Sequence, residues 1–412
     1  MDKKKGLRSR LAQYGDEEFA LFLRRGFLKG AGFTDEALDK PIVGILSTAS
    51  DFNPCHKTAP QVAEAISRGV RAAGALPFVF PTVSLHEAFS FPTSMLLRNL
   101  MAMDVEEMVK ALPLDAVVLI GGCDKTIPAE LMGAISADMP AIVVNVGSML
   151  AGKHEGARLG ACTDCRRLWA QFRAGTLDGP DLGRAHDQLM PTSGTCMVMG
   201  TASTMACLAE TLGFMLPGSA TAPAVSSDRW RFAEATGKRA AEMAIADGPR
   251  PSEILTKSAL RNASVILQAT SGSTNAIVHL AAIAGRAGIP YDLEELDAVG
   301  RDVPVLLDLK PAGNNFMEDF HAGGSLPSLW RRLKDHLDLN AKTVNGETIG
   351  QIIVAIRKAV DASPAELAEI AGAGMRNVLH DRHDVDHAVA LDDAQTKIVE
   401  VHQFHISSSP DK

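Results

Sequence analysis

At 412 residues the chain is long enough to bury one large core or two ordinary ones. Hydrophobic residues make up 46% and charged residues 22%, a balance that sets aside fibrous and disordered classes. The formal net charge of -8 argues against a non-specific nucleic-acid binder, whose surface would be basic, and an acidic substrate would need local positive charge such as a metal ion.

In chain order, the opening MDKKKGLRSRLAQYGDEEFALFL starts basic but passes into charges rather than a long apolar run, so no signal peptide is expected. No window offers the roughly 18 consecutive apolar residues of a membrane-spanning helix. Strands are expected at PIVGILS from Pro41, PFVFPTV from Pro77, DAVVLIGG from Asp115, PAIVVNV from Pro140 and VPVLLDL from Val303. Between them, APQVAEAISRGVRAAGA and NLMAMDVEEMVKAL carry apolar residues at helical spacing. This alternation predicts an α/β fold, a parallel sheet layered with helices on both faces. Sites in such sheets form beyond the carboxyl ends of the strands.

Two later segments, GTASTMACLAETLGFM and SGSTNAIVHLAAIAGRAG, read as helices. The first is rich in small residues that permit close packing. The second opens from a polar Gly and Ser loop whose backbone N–H groups suit an anion. From about Gly346 the pattern changes to a short polar tail holding five of the 12 histidines, so the chain divides into an α/β domain over 1–345 and a tail over 346–412.

Six cysteines, at 55, 123, 162, 165, 196 and 207, are too sparse and irregular for a disulfide framework; a cytoplasmic protein with reduced thiols or metal ligands is expected. Cys55 in FNPCHKT, Cys123 in GGCDKT and Cys196 in SGTCMVMG share one setting, a Gly, Pro or Ser loop before a helix. A helix N-terminus favours the thiolate that binds metal. Such a triplet is compatible with zinc or with an iron–sulfur cluster keeping one iron open. Asp124 and Lys125 follow Cys123 directly, and Glu87 in SLHEAFSFPTS follows the PFVFPTV run. Hard carboxylate oxygens suit Mg²⁺ or Mn²⁺, so two metals of different character are expected in one neighbourhood. Cys162 and Cys165 in GACTDCRR have zinc or redox spacing without a second pair, and their charged neighbours point instead to polar structural packing. The tail segment HDRHDVDH is read as solvated.

Taken together, NPCHKTAP, EAFSFPTSMLLRNLMAMDVEEM, GGCDKTIPAELMGA, RLGACTDCRR, GTASTMACLAETLGFMLPGSA, GSTNAIVHLAAIAGR and DLKPAGNNFMEDFHAGG resemble the dihydroxy-acid and 6-phosphogluconate dehydratase family. The glutamate of SLHEAFSFPTSM favours the sugar-acid (aldonate, arabinonate-type) branch over the branched-chain amino-acid enzyme. The resemblance implies removal of water from a 2,3-dihydroxy acid to give a 2-keto-3-deoxy acid with a [2Fe–2S] or [4Fe–4S] cluster and Mg²⁺. It implies Cys55, Cys123 and Cys196 as cluster ligands. It also implies Glu87, Asp124 and Lys125 as magnesium ligands, the lysine as a carbamate, and a homo-oligomer, dimer or tetramer. The family's base resembles an activated serine on a second, barrel-like domain. After NAKTVNGETIG about 60 residues follow here, without recognisable barrel motifs, so the catalytic base is unassigned and expected on the missing domain. A cluster-binding protein without turnover, a branched-chain dihydroxy-acid dehydratase and a zinc hydrolase on the same cysteines stand as alternatives.

Overall fold

The computed structural model describes residues 4–361 apart from Ala12 and Cys162. Four strands, β1 (Ile42–Ser47), β2 (Leu76–Pro81), β3 (Ala116–Gly121) and β4 (Ala141–Asn145), form one sheet in the order β2-β1-β3-β4. All three pairings are parallel, with Ile42 opposite Leu76, Val43 opposite Ala116 and Val117 opposite Ala141. Every residue of β1, β3 and β4 is buried, which is why these strands read as unbroken apolar runs rather than as alternating ones. The edge strand β2 exposes Val79. At the other edge β4 is covered, since Val143 N–H donates to Phe214 O at 2.8 Å and the Asn145 side-chain amide to Ala220 O at 2.7 Å.

Helices α1 (Ala59–Ala72), α2 (Ser94–Ala111) and α3 (Thr126–Ala137) connect successive strands. Right-handed crossovers require α1, which leads leftward from β1 to β2, to lie on the face opposite α2 and α3, which lead rightward. The packing agrees: α2 lies against α3, while α1 lies against a later helix, α5 (Ser227–Ala246). Two glycines set that second contact. A Cβ on Gly69 of α1 would fall 1.9 Å from Glu234 O, and one on Gly237 of α5 would fall 2.0 Å from Ile66 O. Helix α4 (Thr201–Thr211), predicted from its small residues to pack closely, is buried from Ala202 to Thr211.

The fifth expected strand, VPVLLDL from Val303, is not part of the sheet. Pro304 offers no N–H, Leu306 N–H is spent on Ala269 O at 2.8 Å, and Leu309 makes only an isolated bridge with Asn315. An apolar run bounded by turns predicts a strand, but here the backbone groups of Asp308, Leu309 and Lys310 close a local turn with Gly313 and Asn315.

The core continues past Gly346: the helix Ile349–Asp361 buries Ile349 and Ile352 in the same apolar cluster as the sheet. The tail segment HDRHDVDH, and with it residues 362–412, lies outside the described residues. Among the described residues no helix is long and apolar enough to cross a membrane.

Candidate metal centre

In the order β2-β1-β3-β4 the chain moves left from β1 and then returns to the right of it at β3. The connections leaving β1 and β3 therefore run to opposite faces and leave a crevice between the carboxyl ends of these strands. Both buried cysteines of the triplet sit there. Cys55 lies in a short 3-10 turn, Pro54–His56, beyond β1, and Cys123 lies in the loop between β3 and α3. Cys196 arrives by another route. Thr195 runs beside the continuation of β4, with Thr195 N–H donating to Gly147 O at 2.9 Å and Met149 N–H to Thr195 O at 2.8 Å, and Cys196 then leads towards α4.

The sulfurs of Cys55 and Cys123 and a ring nitrogen of His86 all lie within 4.8 Å of one another. The Cys55 thiol is pushed well above its ordinary range by the Cys123 sulfur against it, by burial, and by the negative charges of Cys123, Cys196 and Asp124. Cys196 is not in that close group, but its neighbour Thr195 stands beside the Cys123 loop: a Cβ on Gly122 would fall 3.2 Å from Thr195 Cγ2 and 3.3 Å from His56 Nε2. Sulfurs gathered this closely repel one another as thiolates, and a metal cation removes that cost. The donor set thus fits a soft metal centre.

Beside it lies a second set, of oxygens. Lys125 Nζ is 2.8 Å from Glu87 Oε2 and 2.7 Å from Asp124 Oδ2, with the lysine side chain almost wholly buried. Ser94, at the start of α2, donates to the same Glu87 oxygen. Burial works to raise the Glu87 carboxyl, but the bonds from Lys125 and Ser94 outweigh it and hold it below its usual range. For Asp124 burial wins over Lys125 and the carboxyl is raised. For Lys125 burial is outweighed by the two carboxylates, and its pKa is raised. The two sets adjoin, since Cys123 and Asp124 are consecutive and Cys123 Sγ lies 3.8 Å from Asp124 Oδ1. All six residues singled out from the sequence are therefore drawn to one end of the sheet.

Two histidines belong here that the sequence reading passed over, although each stands beside a chosen residue. His56, next to Cys55, is fully buried and accepts the Cys123 N–H on Nε2 at 2.8 Å. His86, next to Glu87, approaches the sulfurs. The signal was present in CHK and LHE, but adjacency in sequence does not tell which way a ring turns. The Gly and Ser loop before helix α6 (Asn275–Arg286) does not offer the amide of Ser273 to an anion. That amide donates to Thr204 Oγ1 at 3.0 Å, and Ser273 Oγ pairs with Thr201 Oγ1 at 2.8 Å, so the loop is fastened to α4. Of the CxxC pair, Cys162 lies outside the described residues. The Asp164 between the two cysteines accepts from Gly160 N–H, Lys310 and Arg167 at 2.8, 2.9 and 3.0 Å, a buried polar anchor.

Residues 40–352 match the model of the dihydroxy-acid/6-phosphogluconate dehydratase N-terminal domain. The chain belongs to the dihydroxy-acid and 6-phosphogluconate dehydratase family. Over 340 residues it is 45% identical to an L-arabonate dehydratase of Azospirillum brasilense, covering 82% of this chain and 58% of that protein. It is 39% identical to a 6-deoxy-6-sulfo-D-gluconate dehydratase of Pseudomonas putida, covering 81% and 58%, and 36% identical to a dihydroxy-acid dehydratase of Clostridium botulinum, covering 80% and 61%. The chain thus spans about three fifths of the length of these curated relatives of the dehydratase family. Their names place the family among hydro-lyases acting on sugar acids and dihydroxy acids.

Proposed function

We propose that this chain carries the metal-binding half of a hydro-lyase that removes water from a 2,3-dihydroxy sugar acid to give a 2-keto-3-deoxy acid. The observation that carries the reading is the meeting of a sulfur set, Cys55 and Cys123 with Cys196 nearby, and an oxygen set, Glu87 and Asp124 around Lys125, at one strand-end crevice. Cys55, Cys123 and Cys196 would hold an iron–sulfur cluster. Glu87, Asp124 and Lys125 would hold Mg²⁺, the lysine as a carbamate whose oxygen replaces a cation by an anion. When bound, the cluster iron supplies a Lewis acid for the departing C3 hydroxyl, and Mg²⁺ holds the carboxylate and acidifies the C2 proton.

The chain's own residues supply the frame. The N–H bond from Cys123 to His56 fixes one cysteine loop against the other, and Ser94 orients Glu87. The base for the C2 proton is left to the part of the relatives' length beyond the match. The higher identity to the L-arabonate dehydratase, 45%, than to the dihydroxy-acid dehydratase, 36%, supports an aldonate of the arabonate type over a branched-chain dihydroxy acid. A second reading is cluster binding without turnover by the matched region alone, which spans 58% of the arabonate dehydratase's length.

The test is anaerobic purification followed by 2-keto acid formation across a panel of aldonates. A brown protein that converts an aldonate supports the first reading, and a brown inactive one the second. A colourless zinc protein sinks both. Turnover undiminished when the chain is cut after Asp361 would place the base within residues 1–361.

A further inference from the structure

We infer that the Asp164–Lys310 ion pair positions Cys196, by closing a clasp of two segments around the stretch of chain that carries this cysteine. The inference rests on the reading that Cys55, Cys123 and Cys196 hold a cluster. It gives one common task to the GACTDC and KPAGNNF motifs, which that reading leaves unused.

Cys196 differs from its two companions. Residues 196–200 lie in neither strand nor helix, so their backbone is fixed only by what packs round it. Two segments, 160–164 and 310–317, do this beyond the Thr195 bonds to the continuation of β4. Ala161 N–H donates to Met197 Sδ at 2.9 Å. Met317 N–H donates to Met197 O at 2.9 Å, and Met199 N–H to Lys310 O at 2.8 Å. A Cβ on Gly160 would fall 2.8 Å from Phe316 Cε1 and 2.9 Å from Val198 Cγ1, so the three segments meet where no side chain fits. Met149, Ala161, Met197, Val198 and Phe316 form one buried cluster, and Cys196 packs against it.

Asp164 and Lys310 lock the two segments to each other. Asp164 Oδ2 accepts from Gly160 N–H at 2.8 Å and from Lys310 Nζ at 2.9 Å, with the aspartate side chain only 8% exposed. Burial works to raise the Asp164 carboxyl, but the bonds from Gly160, Lys310 and Arg167 outweigh it and hold it below its usual range, so the pair is charged. A second tie between the same parts of the chain, Arg158 with Glu318 and Asp319, lies nearer the solvent, where ion pairs contribute little. Removing one member of the buried pair strands the other charge, and the segments must part to admit water to it. Met197 and Met199 then lose their backing, and with them Cys196. Cys55 and Cys123 are clamped separately, through His56.

The experiment uses the anaerobically reconstituted 412-residue chain, with iron per chain, visible circular dichroism of the cluster and the rate of iron release to a chelator as readouts. Asp164→Asn and Lys310→Met are each expected to load iron, to alter the dichroism and to release iron about 10-fold faster or more, the usual scale for losing a group that backs a metal ligand. The double variant is expected to match the faster single one, because either change opens the same clasp. Gly237→Ala, which loosens a helix contact elsewhere, controls for stability alone and is expected to keep the wild-type spectrum and rate. Release and dichroism unchanged in both single variants overturn the inference. So does a change no larger than that in Gly237→Ala at equal loss of stability, and so do effects that simply add in the double variant. If Asp164→Asn does not fold, Lys310→Met carries the same test. A wild-type chain that takes up no iron sinks the cluster reading and this inference with it, an outcome distinct from a loaded cluster indifferent to Asp164 and Lys310.

Discussion

The backbone N–H of Cys123 donates to Nε2 of His56 at 2.8 Å, so the residue after one cysteine clamps the loop that carries another. Accepting on Nε2 leaves the ring proton on Nδ1, which faces Thr48 O at 3.3 Å. The nearby Asn53 amide spends its hydrogens on Ser84 Oγ and Leu85 O, both at 3.0 Å. Burial holds the His56 pKa down to about 4, so the ring stays neutral and the clamp intact at physiological pH.

His56→Leu would keep the bulk and strand the Cys123 N–H in a buried site, at a cost of about 1–3 kcal/mol. Urea denaturation is expected to show that loss, and iron per chain should fall with it. A variant of unchanged stability and iron content would show that the clamp is dispensable.

Asp124→Ala is expected to abolish Mg²⁺ binding, measured by calorimetry under anaerobic conditions, while leaving the visible absorbance of the centre. The reason is the division of labour: Asp124 faces Lys125 at 2.7 Å, whereas the sulfurs belong to Cys55, Cys123 and Cys196. Loss of colour would instead assign Asp124 to the cluster or the fold.

Glu130 in α3 is fully buried, and neither of its carboxyl oxygens has a partner among the described residues. Burial pushes its pKa well above the ordinary carboxyl value, so it is held protonated in the fold. In the unfolded chain the group ionises above about 4.3. Its stabilising effect is thus fully present below that value and is lost as pH rises towards the folded pKa, by at most about 1.4 kcal/mol per pH unit. Glu130→Gln should remove this slope. Unfolding free energies of wild type and variant at pH 5 and pH 8 test it, and parallel pH dependence would mean that Glu130 has a partner in solution.

Gly69→Ala and Gly237→Ala each place a methyl group about 2 Å from a carbonyl oxygen of the facing helix. Helices α1 and α5 must then separate, at a cost of about 1–3 kcal/mol or more. Thermal unfolding is expected to move down for both, and the two losses should be less than additive, because either substitution opens the same contact. Full additivity would refute a shared crossing.

Most of the sheet was determined by the sequence alone. Ile42–Ser47, Ala116–Gly121 and Ala141–Asn145 are apolar runs buried on both faces and bounded by turn residues, a pattern that few other structures accommodate. The motifs NPCHKT, GGCDKT and SLHEAF likewise placed sulfur and carboxylate just beyond strands, since loops after parallel strands face one end of the sheet. The run from Val303 misled because apolar content records burial and not the fate of backbone N–H groups, and Leu306 gives its own to Ala269. Tertiary structure alone decided which loops meet. The strand order brings β1 beside β3, and with it Cys55 beside Cys123 and the rings of His56 and His86 against their loops. It also left Glu130 in the core, pressed against Gly121 with no partner among the described residues. These are distances between segments far apart in the chain, set by how helices pack across the sheet, and local pattern carries no information about them.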